Sequence, residues 1–468
     1  MLFPTLNFAL FFLAVYVIAW AIRSRDGARK GFLVAASYVF YANWDWRFVF
    51  LLFGSSVLNY LGGLWIAGAR SETRRKGLVA AVVAANLGVL GLFKYHGFFL
   101  SSLSDLLNAL GLGRDLPFLE IVLPIGISFF TFHGISYVVD VYRGRIEACR
   151  SFPDILLYIS FFPQLVAGPI VRAHFFLPQL RTPPDPNGAA SAGAFLLIVL
   201  GLFKKVVVAN YLATELVDPV FTDPSYYGPV DLILAAYGYA IQIYCDFSAY
   251  TDIATGVAAL LGYRFPPNFN QPYRSRSLRE FWTRWHISLS SWLREYLYIP
   301  LGGNRQGAGK TLRNLFLTML LGGLWHGAAW NFVCWGALHG AGLVVERVFG
   351  KVSGTVLFRH PALAVFAVFH FVCLAWIFFR APDVATAWTY LGSLANVEVG
   401  ARLASPFVLF LLALGAASQA LPESLFPRVE ARLARLPAPA QGAMLGVMIF
   451  LIDALGPEGV APFIYFQF

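Results

Sequence analysis

NLFLTMLLGGLWHGAAWNFVCWGALHG, residues 314–340, decides the fold class of this chain. The run holds no Asp, Glu, Lys or Arg. A helix needs about 20 mostly apolar residues to cross a bilayer. Extended to residue 349, the stretch accommodates two such helices or one long kinked one. The whole chain reads the same way. It has 468 residues, of which 58% are hydrophobic and 13% charged, where a soluble domain carries about 25% charge. Mean hydropathy is +0.65, and there are 44 phenylalanines and 12 tryptophans. A soluble globule of this length needs far more polar surface. An ordinary soluble enzyme, a disordered chain and a disulfide scaffold are therefore excluded. Lipid offers the backbone no hydrogen-bond partners, so the expected fold is an all-α polytopic membrane protein. Continuous apolar runs, rather than alternating ten-residue strips, speak against a β-barrel.

Working outward, apolar segments recur at 6–22, 48–69, 77–95, 119–141, 194–213, 230–262, 358–379, 404–421 and 441–456, with a shorter one from Gly31 to Trp44. The MLFPTLNF start has no basic region ahead of its first apolar run and reads as a retained span. Basic residues mark cytoplasmic loops. Arg23, Arg25, Arg29 and Lys30, then Arg70, Arg74, Arg75 and Lys76, place two loops inside. Residues 264–313 hold nine Lys/Arg against two acids and read as inside, as does the loop with Arg428, Arg432 and Arg435. The stretch 214–229, with Glu215, Asp218 and Asp223 and no base, reads as outside. The count comes to about twelve crossings with both termini outside. The net charge of +10 then reports loop charge rather than nucleic-acid binding. The segment 152–170, FPDILLYISFFPQLVAGPI, is broken by Pro163, Gly168 and Pro169 and reads as a re-entrant or partly buried helix. TPPDPNGAASAG, 182–193, is a flexible surface linker. No separate soluble domain appears, so 1–468 reads as one integral-membrane domain. Cys149, Cys245, Cys334 and Cys373 form no C-x-x-C pair and no metal-ligand spacing.

Ionisable groups inside spans are costly, so each is a functional candidate. His326 stands in the opening run, and a helix rising from Arg313 at 1.5 Å per residue carries it roughly 20 Å deep. Gly322, Gly323, Gly327, Ala328 and Ala329 surround it. Such small residues either let helices pack closely or leave open volume for a tunnel walled by Trp325, Trp330 and Trp335. Asn331 lies nearby. On one continuous helix, at 100° per residue, His339 points about 140° away from His326, so the two are not paired.

RSRSLREFWTRWHISLSSWLREYLYIPLGGNR, residues 274–305, puts Phe281, Trp285, Leu289, Trp292, Tyr296 and Pro300 on one helical stripe and Arg284, Ser288, Ser291 and Glu295 on another. This predicts an amphipathic helix lying in the inner interface. It serves as a plain anchor or as a basic, aromatic vestibule, with Arg284, Arg294, Trp285 and Ser288 holding the phosphates and adenine of a coenzyme. GYAIQIYCDFSAYTDIATG, 238–256, places Asp246, Asp252 and Tyr244 in a polar strip that either ties helices together or lines a cavity. Lys204 and Lys205 snorkel or pair with one of these aspartates.

The blocks FWTRWHISLSSWLREYLYIPLGGNR and LWHGAAWNFVCWGALHG resemble the membrane-bound O-acyltransferase family. LPIGISFFTFHGISYVVDVYRG (123–144), FFPQLVAGPIVR (161–172) and YCDFSAYTDIA (244–254) are similar to its bacterial branch, and the closing FIYFQF to the alginate O-acetyltransferase type. The resemblance covers essentially the whole chain, with its core motifs in 123–344. It implies a ring of about 11–12 transmembrane helices with re-entrant and interfacial helices, and a cytoplasmic funnel for the acyl donor. It implies catalytic roles for His326, in the W-H-G block, and His286, in the R-W-H-x-S block. It also implies an acetyl-CoA or other thioester donor, no permanently bound cofactor and no metal. The expected partner is a periplasmic SGNH-type acetyltransferase, and the expected place is the bacterial inner membrane among its lipids. Acetyl transfer to an extracytoplasmic polysaccharide follows: alginate-like, or peptidoglycan or cellulose. A transporter using the buried His and Asp residues for proton relay is the alternative, but neither an inverted repeat nor a matched pair of broken helices supports it.

Overall fold

The computed structural model describes residues 3–113, 121–185, 191–349 and 360–457, and among them every regular element is helical. Among the described residues, six helices are long and apolar enough to cross a membrane: Phe48–Gly68, Glu72–Ala109, Ser191–Thr222, Trp330–Phe349, Pro361–Arg380 and Ala438–Leu455. Two shorter apolar helices, Leu6–Ala21 and Pro406–Ser418, join them. The chain is thus an all-α, multi-pass membrane protein. The sequence expectation of about twelve crossings exceeds these six. Part of the difference lies in Pro229–Leu260, 32 residues long, whose polar strip lowers its hydropathy, and in Ala308–His326, which starts in basic residues. The segment expected at 119–141 is helical from Ile127 to Tyr142. The linker residues 186–190 and the closing FIYFQF lie outside the described residues.

By chain contacts the molecule divides into two compact units. The first comprises the described part of residues 6–189 with 261–265. Its helices approach closely where side chains vanish. A Cβ on Gly63 would lie 2.6 Å from the Tyr137 hydroxyl oxygen, and one on Gly134 2.2 Å from the Asn59 amide nitrogen. Asn59 and Asn86 exchange a reciprocal pair of 3.1 Å hydrogen bonds, a pairing that neighbouring helices use in lipid. Lys30 bonds Asp154 at 2.9 Å, and Arg29 donates to Tyr263 at 2.7 Å. The segment 152–170 forms two short helices, Phe152–Ser160, capped by Ser151, and Phe162–Leu165. Both are buried and too short to span, in line with the re-entrant reading.

The second unit holds 191–260 and the described residues from 266 onward. Ser191–Thr222 is one helical run interrupted by two π turns, Phe203–Ala209 and Ala213–Val217. It therefore extends into the acidic stretch expected to be a loop. The opening run is two helices, Ala308–His326 and Trp330–Phe349, parted at Gly327–Ala329. The single amphipathic helix expected at 274–305 is instead Leu278–Arg284 and Ile287–Leu293, followed by a π turn, Arg294–Tyr298. The break falls at His286, whose backbone is left-handed, with φ 42° and ψ 56°.

Candidate active site

His326 is the last residue of its helix. Gly327 follows in extended backbone, and Trp330 opens the next helix. The glycines make this junction tight. A Cβ on Gly323 would lie 2.3 Å from the Phe332 carbonyl oxygen, one on Gly336 2.6 Å from the Met319 carbonyl oxygen, and one on Gly327 2.1 Å from the Phe332 ring. Close packing, rather than tunnel volume, is what these three glycines serve. The imidazole of His326, 4% exposed, is boxed by rings. Trp325, Trp335 and Phe379 stand at 5.0, 5.0 and 5.2 Å, all edge-to-face. Phe379 comes from Pro361–Arg380, so three helices build the box.

Trp325 stands between the two histidines, its ring 6.1 Å from His286. His286 is fully buried. A left-handed conformation is strained for a residue other than glycine and needs support. Here Asn268 Oδ1 accepts from the Ser288 N–H at 3.0 Å and the Ser288 hydroxyl at 2.8 Å, pinning the turn. Nδ1 of His286 lies 3.3 Å from that oxygen and accepts from the Leu289 N–H at 3.4 Å, capping the Ile287–Leu293 helix. Nε2 is buried and has no hydrogen-bond partner among the described residues. Burial pushes this imidazole down to about 3, so the ring stays neutral. The N-terminus of Leu278–Arg284 is tied to Trp330–Phe349 by Glu346, which accepts from the Leu278 and Arg279 N–H groups at 2.6 and 3.4 Å.

The four residues expected to hold a coenzyme do not share one surface. Trp285, 2% exposed, packs against Phe281, Phe269 and Trp376. Ser288 is buried on Asn268. Arg284 pairs with Glu280 at 2.9 Å and donates to the Asn270 carbonyl. Arg294 is exposed. The polar strip of Pro229–Leu260 ties helices: Lys205 meets Asp246 at 2.6 Å, and Lys204 meets Asp252 at 2.5 Å and Ser248 at 2.7 Å. Tyr244 lies under Lys204 at 5.8 Å. Asn331 donates to the Ala381 carbonyl at 2.8 Å beside the His326 junction.

Three contributors are invisible to spacing. Asn268 lies outside any helix, and Phe379 is 53 residues beyond His326, so neither carries a local signal. The third is His339, which a count of 100° per residue along one helix turns away from His326. The break at Gly327–Ala329 voids that count, and His339 faces the same Trp335 ring at 4.8 Å that His326 touches.

The model of the MBOAT, membrane-bound O-acyltransferase family, matches residues 120–381, a range that contains His286, His326 and His339. The chain is 43% identical over 394 residues to the probable alginate O-acetylase AlgI of Pseudomonas aeruginosa, covering 83% of this chain and 74% of that one. To the peptidoglycan O-acetyltransferase of Helicobacter pylori it is 35% identical over 429 residues, 85% of this chain and 80% of that one. To the teichoic acid D-alanyltransferase of Bacillus subtilis it is 28% identical over 275 residues, 54% of this chain and 68% of that one.

Proposed function

The chain belongs to the membrane-bound O-acyltransferase family, and from that premise we propose that it moves an acetyl group from a cytoplasmic thioester, acetyl-CoA, across the bacterial inner membrane for O-acetylation of an extracytoplasmic polysaccharide. The polymer is alginate-like, with peptidoglycan or cellulose as the other acceptors of this chemistry. The names of the relatives support this reading. The observation that carries it is the placing of His326, an imidazole boxed by three aromatic rings at a helix junction inside the matched region.

A thioester is already activated. What the protein supplies is a base, an oxyanion partner and proximity. His326 takes the proton of the acceptor hydroxyl as its oxygen attacks the thioester carbonyl. The carbonyl oxygen becomes an oxyanion. Collapse of the tetrahedral adduct forms the ester and expels the thiolate, which takes the proton back from the imidazolium. His286 takes the oxyanion role as its Nε2–H tautomer, and in support its Nε2 is buried and has no partner among the described residues. The basic 264–313 stretch faces the cytoplasm, both termini face the periplasm, and a periplasmic SGNH-type protein places the acetyl group on the polymer.

Deleting the gene and assaying acetyl esters in each envelope polymer tests the reading. One polymer should lose its esters and regain them on complementation by the wild-type chain but not by His326→Gln. Full acetylation of every envelope polymer in the deletion strain would overturn it.

A further inference from the structure

The helix Pro361–Arg380 cannot run on, because Pro382 follows Ala381 and the residue before a proline is pushed out of helical geometry. Ala381 leaves the helix with φ −57° and ψ 139°. Its carbonyl lies past the last turn, where no later N–H of that helix reaches it. Buried backbone groups are nearly always paired, and this one is paired from another helix. Asn331, the second residue of Trp330–Phe349, donates its amide Nδ2 to the Ala381 carbonyl at 2.8 Å. Both residues are buried, and they stand 50 positions apart in the chain.

Ala381 comes two residues after Phe379. The Phe379 ring, 1% exposed, stands edge-on to His326 and Trp335, each at 5.2 Å, and to Phe332 at 5.0 Å. Ring pairs are favourable across centroid distances of about 4.5–7 Å, so they do not fix where a helix end stops. A hydrogen bond confines distance and angle far more narrowly. The neighbouring tie, Arg380 to Asp218 at 2.6 Å, has side chains 21% and 48% exposed, and an ion pair open to solvent contributes little. Oδ1 of Asn331 is buried with no partner among the described residues, so the amide acts here through its donor. We propose that Asn331 is a positioning residue for acyl transfer: it holds the Ala381 carbonyl and thereby seats Phe379 against the His326 imidazole, so that the base keeps one orientation. This rests on the reading of His326 as the base.

The test measures acetyl-ester formation in inverted membrane vesicles from the strain whose envelope polymer loses its esters on deletion, complemented with each variant. Acetyl-CoA is the donor, and rates are taken per folded chain. Asn331→Leu keeps the volume and removes the hydrogen-bond donor. Its maximal rate should fall about 10- to 100-fold, as a misplaced catalytic group can cost, with KM for acetyl-CoA unchanged. Asn331→Gln retains an amide donor and should recover part of the rate. Phe379→Ala should also be slow, and adding Asn331→Leu to it should cost less than about twofold more, because both changes break one chain of contacts. Asp218→Asn should keep at least about half of the wild-type rate. Four results would each overturn the assignment: a wild-type maximal rate in Asn331→Leu, a KM raised as far as the rate falls, losses that simply multiply in the double variant, or an equal loss in Asp218→Asn. His326→Gln, run alongside, separates the two readings. A rate kept there removes the base and this inference with it, whereas a rate lost there but kept in Asn331→Leu removes the inference alone.

Discussion

His326 and His286 share a residue type and a neighbouring tryptophan, but their surroundings differ. His326 ends a helix inside a box of three rings, whereas His286 is locked into a left-handed turn by the Asn268–Ser288 bonds. The first arrangement encloses an imidazole among apolar rings; the second fixes the orientation of a buried ring. His326→Gln keeps much of the size but cannot accept a proton at neutral pH. General-base catalysis contributes about 10²–10⁴-fold, so polymer acetylation should fall by that factor at wild-type expression and melting temperature. The corresponding change at His286 should cost less. Near-wild-type acetylation by a well-expressed His326→Gln protein would remove the base assignment, and loss of folding together with activity would make the histidine structural.

At the scale of elements, the site depends on how closely Ala308–His326 and Trp330–Phe349 approach. Gly336 tests that directly. Its Cα faces the Met319 carbonyl, and an added methyl would meet it at 2.6 Å, against backbone that cannot rotate away. Gly336→Ala should therefore destabilise by about 1–3 kcal/mol through overpacking, read as a lowered melting temperature in detergent, and should reduce activity by displacing Trp335 from His326. Gly88, on Glu72–Leu90, is the control, since an added Cβ there would meet nothing within 4 Å. Gly88→Ala should leave the melting temperature within error or slightly raised. Equal effects at both positions would refute the packing account. The same logic explains the Lys–Asp ties between Ser191–Thr222 and Pro229–Leu260: charges inside a bilayer persist where a partner on the next helix compensates them.

For the whole molecule, orientation is the property on which donor access depends. A reporter fused after Arg75 should be cytoplasmic, and one fused near Asp223, just past the end of Ser191–Thr222, periplasmic. A periplasmic signal from within 264–313 would invert the map and separate the basic stretch from the coenzyme A pool. Much of the helical layout is legible in the chain itself. The apolar segments at 48–69, 358–379 and 441–456 correspond to helices Phe48–Gly68, Pro361–Arg380 and Ala438–Leu455. Residues 152–170 are short and buried, as their prolines and glycine predict.

Read alone, the residues specify a helical membrane protein, the approximate positions of its helices, and the blocks in which His326 and His286 stand. Those are local properties. Lipid forces each spanning segment to satisfy its own backbone hydrogen bonds, so a run of apolar residues suffices to predict a helix. Where helices break, and what meets at the breaks, is a matter of tertiary contact. The turn at His286 depends on Asn268, the box around His326 on Phe379, and the approach of His339 on a break at Gly327 that resets helical phase. Each of these joins residues distant in the chain through contacts that no periodicity encodes.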